Sequence, residues 1–121
     1  MDGAQIRYSI SEFQEALGMS IEGIADLFEN YFKEMAIEIR KMHEYLAEGD
    51  WYMLQRVVHA IKGVSANLRV HDVYEGAVEL DDNLKKKSYE DVPKYVENIE
   101  KMILNAEAEV RAYFLSKGIR I

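Results

Sequence analysis

Apolar residues recur at intervals of three and four along almost the whole chain, the spacing that places them on one face of an α-helix. Residues that would interrupt a helix are scarce. The 121 residues include one proline and seven glycines, and the glycines are scattered rather than gathered into a linker. We therefore expect an all-α protein.

Capping and turn residues divide this pattern into five predicted helices. Gly18 and Gly49 are suited to end the first and second helices, because glycine readily takes the left-handed conformation of a helix C-terminus. Ser20 and Asp50 are suited to begin the helices that follow them. The predicted helices cover residues 11–17, 20–48, 51–68, about 70–87 and a last segment that has Pro93 in its first turn and runs to about 115.

Four long amphipathic helices with very short connections must alternate in direction if each packs on its chain neighbours. The expected architecture is an antiparallel up-down-up-down four-helix bundle with a short extra N-terminal helix. The length suits one core, so we expect a single domain over residues 1–121 with the bundle core at about 20–115. The residues predicted to face inward from the last helix are Tyr95, Ile99, Met102, Ala106, Val110 and Tyr113.

Composition argues against several classes of function. Twenty-two acidic residues against fifteen basic ones give a formal net charge of -7, which disfavours general binding to nucleic acid. The chain has no cysteine, and it has no apolar run near the ~18 residues of a membrane span or in the place of a signal peptide. We expect a cytoplasmic monomer that binds neither nucleic acid nor membrane and holds no cofactor or metal.

The helix predicted over residues 51–68 carries an unusual group on its solvent side. The centre of its apolar stripe is marked by Leu54, Ile61 and Leu68. At ~100° per residue, His59 lies about 140–180° from all three and should face water. Lys62 and Gly63 follow one turn later, although glycine costs ~1 kcal/mol relative to alanine in an exposed helix interior. An exposed histidine alone is ordinary, but the three residues together favour a functional surface.

The segment "HAIKGVSANL" (59–68) resembles the HxxKG signature of histidine-phosphotransfer (Hpt) domains, the phosphocarriers of two-component phosphorelays. Residues 27–68 resemble the family layout of a Phe-rich helix, a Gly-Asp turn and the histidine helix, and the resemblance spans roughly 20–115. It implies a phosphocarrier, not a turnover enzyme, with His59 as phosphoacceptor. The implied partners are a response-regulator receiver domain, whose Mg²⁺ assists transfer, or a hybrid sensor histidine kinase, or both.

The resemblance also implies roles for three residues near His59. Lys62 would offset negative charge on the phosphoryl oxygens, and Gly63 would leave room for a receiver domain. Family members often carry Glu or Gln 22 residues after the histidine, where it accepts a hydrogen bond from Nδ1 and leaves Nε2 to attack. Asp81 occupies that position, and its shorter side chain leaves two interpretations open: this contact, or an ordinary carboxylate on the helix surface.

One departure from the family pattern concerns the end of the histidine helix. Family members usually have a glycine ten residues after the histidine, where this chain has Arg69, so the turn into the next helix is expected to be built differently. Arg69 would instead join Arg56 and Lys62 in a basic cluster suited to docking an acidic receiver. Gln55 and Ala66 lie on the same face and complete the predicted docking surface.

Two other classes of protein fit the same pattern. The chain could be a helical interaction or scaffold module that has the Hpt fold but transfers no phosphate. It could also be the phosphoacceptor domain of a chemotaxis-type kinase. The combination of His59, Lys62 and Gly63 favours the phosphocarrier over the scaffold.

Overall fold

The computed structural model describes residues 8–121. This part of the chain is helical and contains no strand, which confirms the all-α prediction. The helices are α1 (Ile10–Leu17), α2 (Ile21–Glu48), α3 (Trp51–Asn67), α4 (His71–Lys85) and α5 (Val92–Ser116). None of them is long and apolar enough to cross a membrane.

The caps that begin α2 and α3 are formed as predicted. The Ser20 hydroxyl accepts a hydrogen bond from the Gly23 amide at 3.1 Å, and the Asp50 carboxylate accepts one from the Met53 amide at 3.1 Å. Each bond satisfies a backbone N–H that the first turn of a helix leaves without a partner. Gly49 ends α2 with a φ of 66°, in the left-handed region.

The four long helices form a closed ring of neighbours. α2 packs against α3 and α5, α3 against α4, and α4 against α5. The connections between chain neighbours are short, which is consistent with the predicted up-down-up-down order. The largest side chains buried between them are Ile24, Phe28, Met35, Met42, Leu54, Val58, Ile61, Leu80, Ile99, Ile103 and Phe114.

The buried face of α5 is rotated from the predicted one. Ile99, Ala106 and Val110 are buried as expected, but Tyr95, Met102 and Tyr113 lie at the margin of the core and are only part-buried. Their places in the core are taken by Val96, Ile103 and Phe114. Each of these is one residue further along the helix, so both rows have helical spacing and the sequence pattern alone did not choose between them.

The short helix α1 covers one end of the bundle. Its Phe13 ring meets the Phe28 ring edge-on at 6.3 Å between centroids, and Phe28 in turn contacts Phe114 at 6.0 Å. The guanidinium of Arg69, in the α3–α4 connection, lies 5.1 Å from the Phe13 ring centroid. Aromatic packing therefore joins α1 to α2, and the cation–π contact joins α1 to the α3–α4 connection.

The turn at Arg69 has the geometry that glycine would give. Arg69 has a φ of 60°. Its amide donates to the Ala66 carbonyl at 3.2 Å, and the next amide, Val70, donates to Ser65 at 2.9 Å. The amides at and after Gly49 make the same pair of bonds, at 3.1 and 2.9 Å. The expected change in turn geometry therefore does not occur, because arginine itself adopts the left-handed conformation.

Candidate functional site

His59 lies in the middle of α3 on its exposed face, as the helical geometry predicts. Leu54, Val58 and Ile61, on the other side of the same helix, have no exposed surface. The fold thus anchors α3 through one face and presents the imidazole on the other. The imidazole is exposed and forms no hydrogen bond with the rest of residues 8–121.

The exposed face of α3 has small residues one and two turns after His59, toward the helix C-terminus. Gly63 is exposed, and a methyl group placed on it would meet no atom within 4 Å. Ala66, one turn further, is also exposed and has only a methyl side chain. A protein surface could therefore approach the imidazole from this side without meeting a large side chain.

A shallow depression of about 410 Å³ lies toward the N-terminus of α3, and it is lined by Tyr52, Gln55, Arg56, His59 and Ala60. Tyr52 is 67% exposed, a high value for an aromatic side chain. The Arg56 guanidinium lies 5.9 Å from the centre of the Tyr52 ring. The docking surface predicted from the sequence did not include Tyr52; the available signal was its position two helical turns before His59.

Asp81 on α4 is buried, with 1% of its surface exposed, and it joins α3 to α4. Its Oδ1 accepts a hydrogen bond from Gln55 Nε2 at 3.2 Å. Its Oδ2 accepts from Lys62 Nζ at 3.0 Å and contacts Lys85 Nζ at 3.0 Å. Gln55 and Lys62 are the residues four before and three after His59. Asp81 therefore holds two side chains that flank the histidine on the helix.

The electrostatics of Asp81 favour its charged form. Burial is the largest single influence and by itself would raise the pKa of the carboxyl. The hydrogen bonds from Lys62, Lys85 and Gln55 act the other way, and together they lower the pKa below its ordinary value. Asp81 is thus a carboxylate at neutral pH, with cations on one oxygen and an amide on the other.

This arrangement differs from both interpretations of Asp81 that the sequence left open. The residue is buried, so it is not an ordinary surface carboxylate. Its hydrogen bonds go to Gln55 and Lys62 rather than to His59. The aspartate side chain is shorter than the Glu or Gln of other family members, and the Asp81 carboxylate binds Gln55 and Lys62, which flank His59, instead of His59 itself. Lys85 was not among the predicted site residues and is a further member of the cluster; its i, i+4 spacing from Asp81 was the available signal.

The three basic residues predicted to form one cluster have separate partners. Lys62 is bound to Asp81, Arg56 lies over Tyr52, and Arg69 lies over Phe13 of α1. The structure therefore does not gather them at one point. Arg56 and Lys62 flank His59 along α3, whereas Arg69 lies beyond the end of the helix.

The other two histidines lie elsewhere. His43 on α2 is exposed, and its Nε2 is 2.7 Å from a carboxylate oxygen of Glu100 on α5. His71 is exposed at the start of α4. Among residues 8–121, no three or more His, Asp or Glu side chains are grouped so that they could hold a metal ion.

The described helices present an exposed histidine beside a lysine and an open glycine, which is the arrangement implied by the resemblance to Hpt domains. The family model described as the Hpt domain matches residues 26–109, which include α3, α4 and most of α2 and α5. The chain therefore belongs to the Hpt domain family, whose members are phosphocarrier modules in two-component phosphorelays. Neither the curated proteins nor the solved structures contain a match to the chain.

Proposed function

We propose that this protein is a phosphorelay carrier that accepts a phosphoryl group on His59 and exchanges it with the aspartate of a response-regulator receiver domain. The observation that supports this most directly is the exposed imidazole in the middle of α3, with Lys62 and the open surface of Gly63 one turn away. These residues lie inside the segment that matches the Hpt domain.

The chemistry requires one nucleophilic nitrogen and no cofactor on this chain. Neutral imidazole has one protonated nitrogen and one with a free lone pair. We assign the attack to Nε2, with the proton on Nδ1. The Nε2–P bond forms while the P–O bond to the receiver aspartate breaks, and the aspartate leaves as a carboxylate. The reverse step returns the phosphoryl group, so the same site serves both directions.

The surroundings of His59 suit a receiver domain as the partner. The Mg²⁺ that assists transfer belongs to the receiver and would act from its side of the complex. Lys62 supplies a positive charge one turn from the imidazole, where the phosphoryl oxygens would lie. Gly63 and Ala66 leave space for the loops of the partner, and Gln55, Arg56 and the exposed Tyr52 ring provide contacts on the other side.

The test is transfer of labelled phosphate from two kinds of donor. Phosphorylated receiver domains test the relay, and phosphoramidate, a small donor that needs no docking, tests the reactivity of the imidazole. We expect label on the wild-type protein that is lost in acid and kept in alkali, as a P–N bond is. Peptide mapping should locate this label on His59.

Three matched substitutions identify the acceptor. His59→Gln should abolish labelling by both donors, while His43→Gln and His71→Gln should leave it intact. Label that persists in His59→Gln would move the acceptor to another residue. A wild-type protein that binds receivers but takes no phosphate from either donor would instead be an interaction module.

A further inference from the structure

Two lysines share one oxygen of a buried carboxylate in this structure. Lys62 Nζ and Lys85 Nζ each lie 3.0 Å from Oδ2 of Asp81. The Asp81 side chain is 2% exposed, that of Lys62 23% and that of Lys85 56%. One negative charge therefore has two cations, one from the histidine helix and one from its own helix.

Within this group of three side chains, the two lysines carry one positive charge more than the Asp81 carboxylate neutralises. A buried carboxylate needs at least one cation or strong donor, because an unpaired charge in the interior is costly. A second cation is not needed for that purpose. Lys85 lies four residues after Asp81 on α4, so it stays within reach whatever Lys62 does. The excess charge is therefore available for an anion that arrives on α3.

Lys62 is the cation that can reach such an anion. It lies three residues after His59 on the same helix, where side chains are neighbours. A phosphoryl group on a side chain carries roughly −1.5 to −2 charges near neutral pH and offers three acceptor oxygens. The ammonium of Lys62 has three N–H donors and no fixed orientation, so it can turn from one acceptor to another.

We propose that Asp81 is a positioning residue that holds Lys62 beside His59 before transfer, and that Lys85 keeps the Asp81 carboxylate paired when Lys62 turns to the phosphoryl group. This inference rests on the proposed function of His59. It assigns Lys85, which the fold places on another helix, a part in phosphoryl transfer. Asp81 acts through the lysines and touches neither the histidine nor the phosphoryl group.

The inference predicts an effect that Lys85 would not have as an ordinary surface charge. If Lys85 were absent and Lys62 moved away, the Asp81 carboxylate would keep only the Gln55 amide as a partner. Lys62 should therefore stay on Asp81 and be less available to the phosphoryl group. We expect Lys85→Met to slow labelling by phosphoramidate about fivefold, which corresponds to roughly one ordinary hydrogen bond. Lys86→Met is the matched control, because it removes the same charge from the next residue, and it should leave the rate unchanged.

A double-substitution cycle separates positioning from general charge. Asp81→Asn removes the charge that retains Lys62, so adding Lys85→Met to it should cause no further loss. A general attraction between Lys85 and the donor would persist in the Asp81→Asn background. NMR of the lysine ammonium groups gives a second readout. On phosphorylation the Lys62 signal should shift, whereas the Lys85 signal should stay in place because Lys85 keeps its contact with Asp81.

The outcomes distinguish this inference from the proposed function. Wild-type protein that takes no phosphate on His59 overturns both. Wild-type protein that is labelled while Lys85→Met behaves like Lys86→Met, or while the Lys62 signal does not shift, overturns the positioning role and leaves the phosphoacceptor in place. Lys85 and Lys86 are both exposed, so neither substitution should unfold the protein and the two rates can be compared directly.

Discussion

On the buried face of α3, Leu54, Val58 and Ile61 have no exposed surface, whereas on the opposite face His59, Gly63 and Ala66 are open to solvent. Residues of the buried face contribute by removing apolar surface from water. Residues of the exposed face contribute almost nothing to that burial. One helix thus separates the residues that maintain the fold from those available for a partner. Substitutions on the buried face should change the free energy of unfolding, and substitutions on the exposed face should change phosphate transfer.

The polar residues of α3 sharpen this difference. On the buried face, the Ser65 hydroxyl and the Tyr31 hydroxyl lie 2.7 Å apart, and burial raises the pKa of the tyrosine. Both hydroxyls are buried, and each has the other as a hydrogen-bond partner. At the edge of the exposed face, Gln55 and Lys62 are part-buried and reach across to Asp81. Residues at the border between the two faces therefore join α3 to α4 and also flank His59.

The largest expected effect is on phosphate transfer, from a change on the exposed face. His59→Gln should abolish uptake and change the free energy of unfolding by no more than ~0.5 kcal/mol, since the side chain makes no buried contact. Labelling by phosphorylated receiver and urea unfolding measure the two quantities. A large loss of stability would show that the two faces of α3 are not independent.

The next effect is on stability, from a change on the buried face. Ile61→Ala should lower the free energy of unfolding by about 2–5 kcal/mol, because it removes buried methyl groups and leaves a cavity. Urea unfolding checks this value. Ile37→Ala on α2 is the matched control: Ile37 is 43% exposed, so the same truncation should cost far less. Equal losses for the two isoleucines would contradict the placement of Ile61 in the core.

A third effect concerns access to the exposed face. Gly63→Leu should slow exchange with a phosphorylated receiver about tenfold or more, a penalty comparable to forcing extra bulk into a packed contact. Labelling by phosphoramidate should change much less, since it needs no protein interface. Ala108→Leu places the same leucine side chain at an exposed site on α5, the helix diagonal to α3, and should leave exchange unchanged. A Gly63→Leu protein that exchanges at the wild-type rate would refute close approach at this position.

Features that depend on neighbours in the sequence were predictable. Ser20, Asp50 and Gly49 mark helix ends through contacts within a few residues, and the structure has these contacts. The outward position of His59 follows from the angle per residue alone. Each of these inferences needs the geometry of one helix only, which is why the sequence sufficed.

Features that depend on other helices were not predictable. The inward row of α5 is set by what α2 and α4 present to it, so Ile103 rather than Met102 fills the core. The spacing of 22 residues brings Asp81 close to the histidine helix, but its partners depend on side-chain length and on Lys85 from its own helix. The left-handed conformation of Arg69 could not be predicted from the residue type, because arginine rarely adopts it; the available signal was the glycine that family members usually have at this position.

The smallest effect tests whether the exposed face of α3 has more free space than a buried position on α4. Gly63→Ala should stabilise the protein by up to ~1 kcal/mol, since alanine loses less backbone entropy in a helix and its methyl group meets nothing within 4 Å. Gly76→Ala on α4 is the control. Its methyl group would lie 3.2 Å from Met102 Sδ and 3.4 Å from Ile99 Cγ1.

Thermal unfolding of the two alanine variants should therefore show a larger gain at Gly63 than at Gly76, because crowding offsets the entropy gain only in α4. Exchange of Gly63→Ala with a receiver should fall less than that of Gly63→Leu, in proportion to the added bulk. If Gly63→Ala gains stability and exchanges at the wild-type rate, the approach of the partner leaves room for a methyl group. If it loses stability, the exposed face of α3 is more constrained than its open surface indicates.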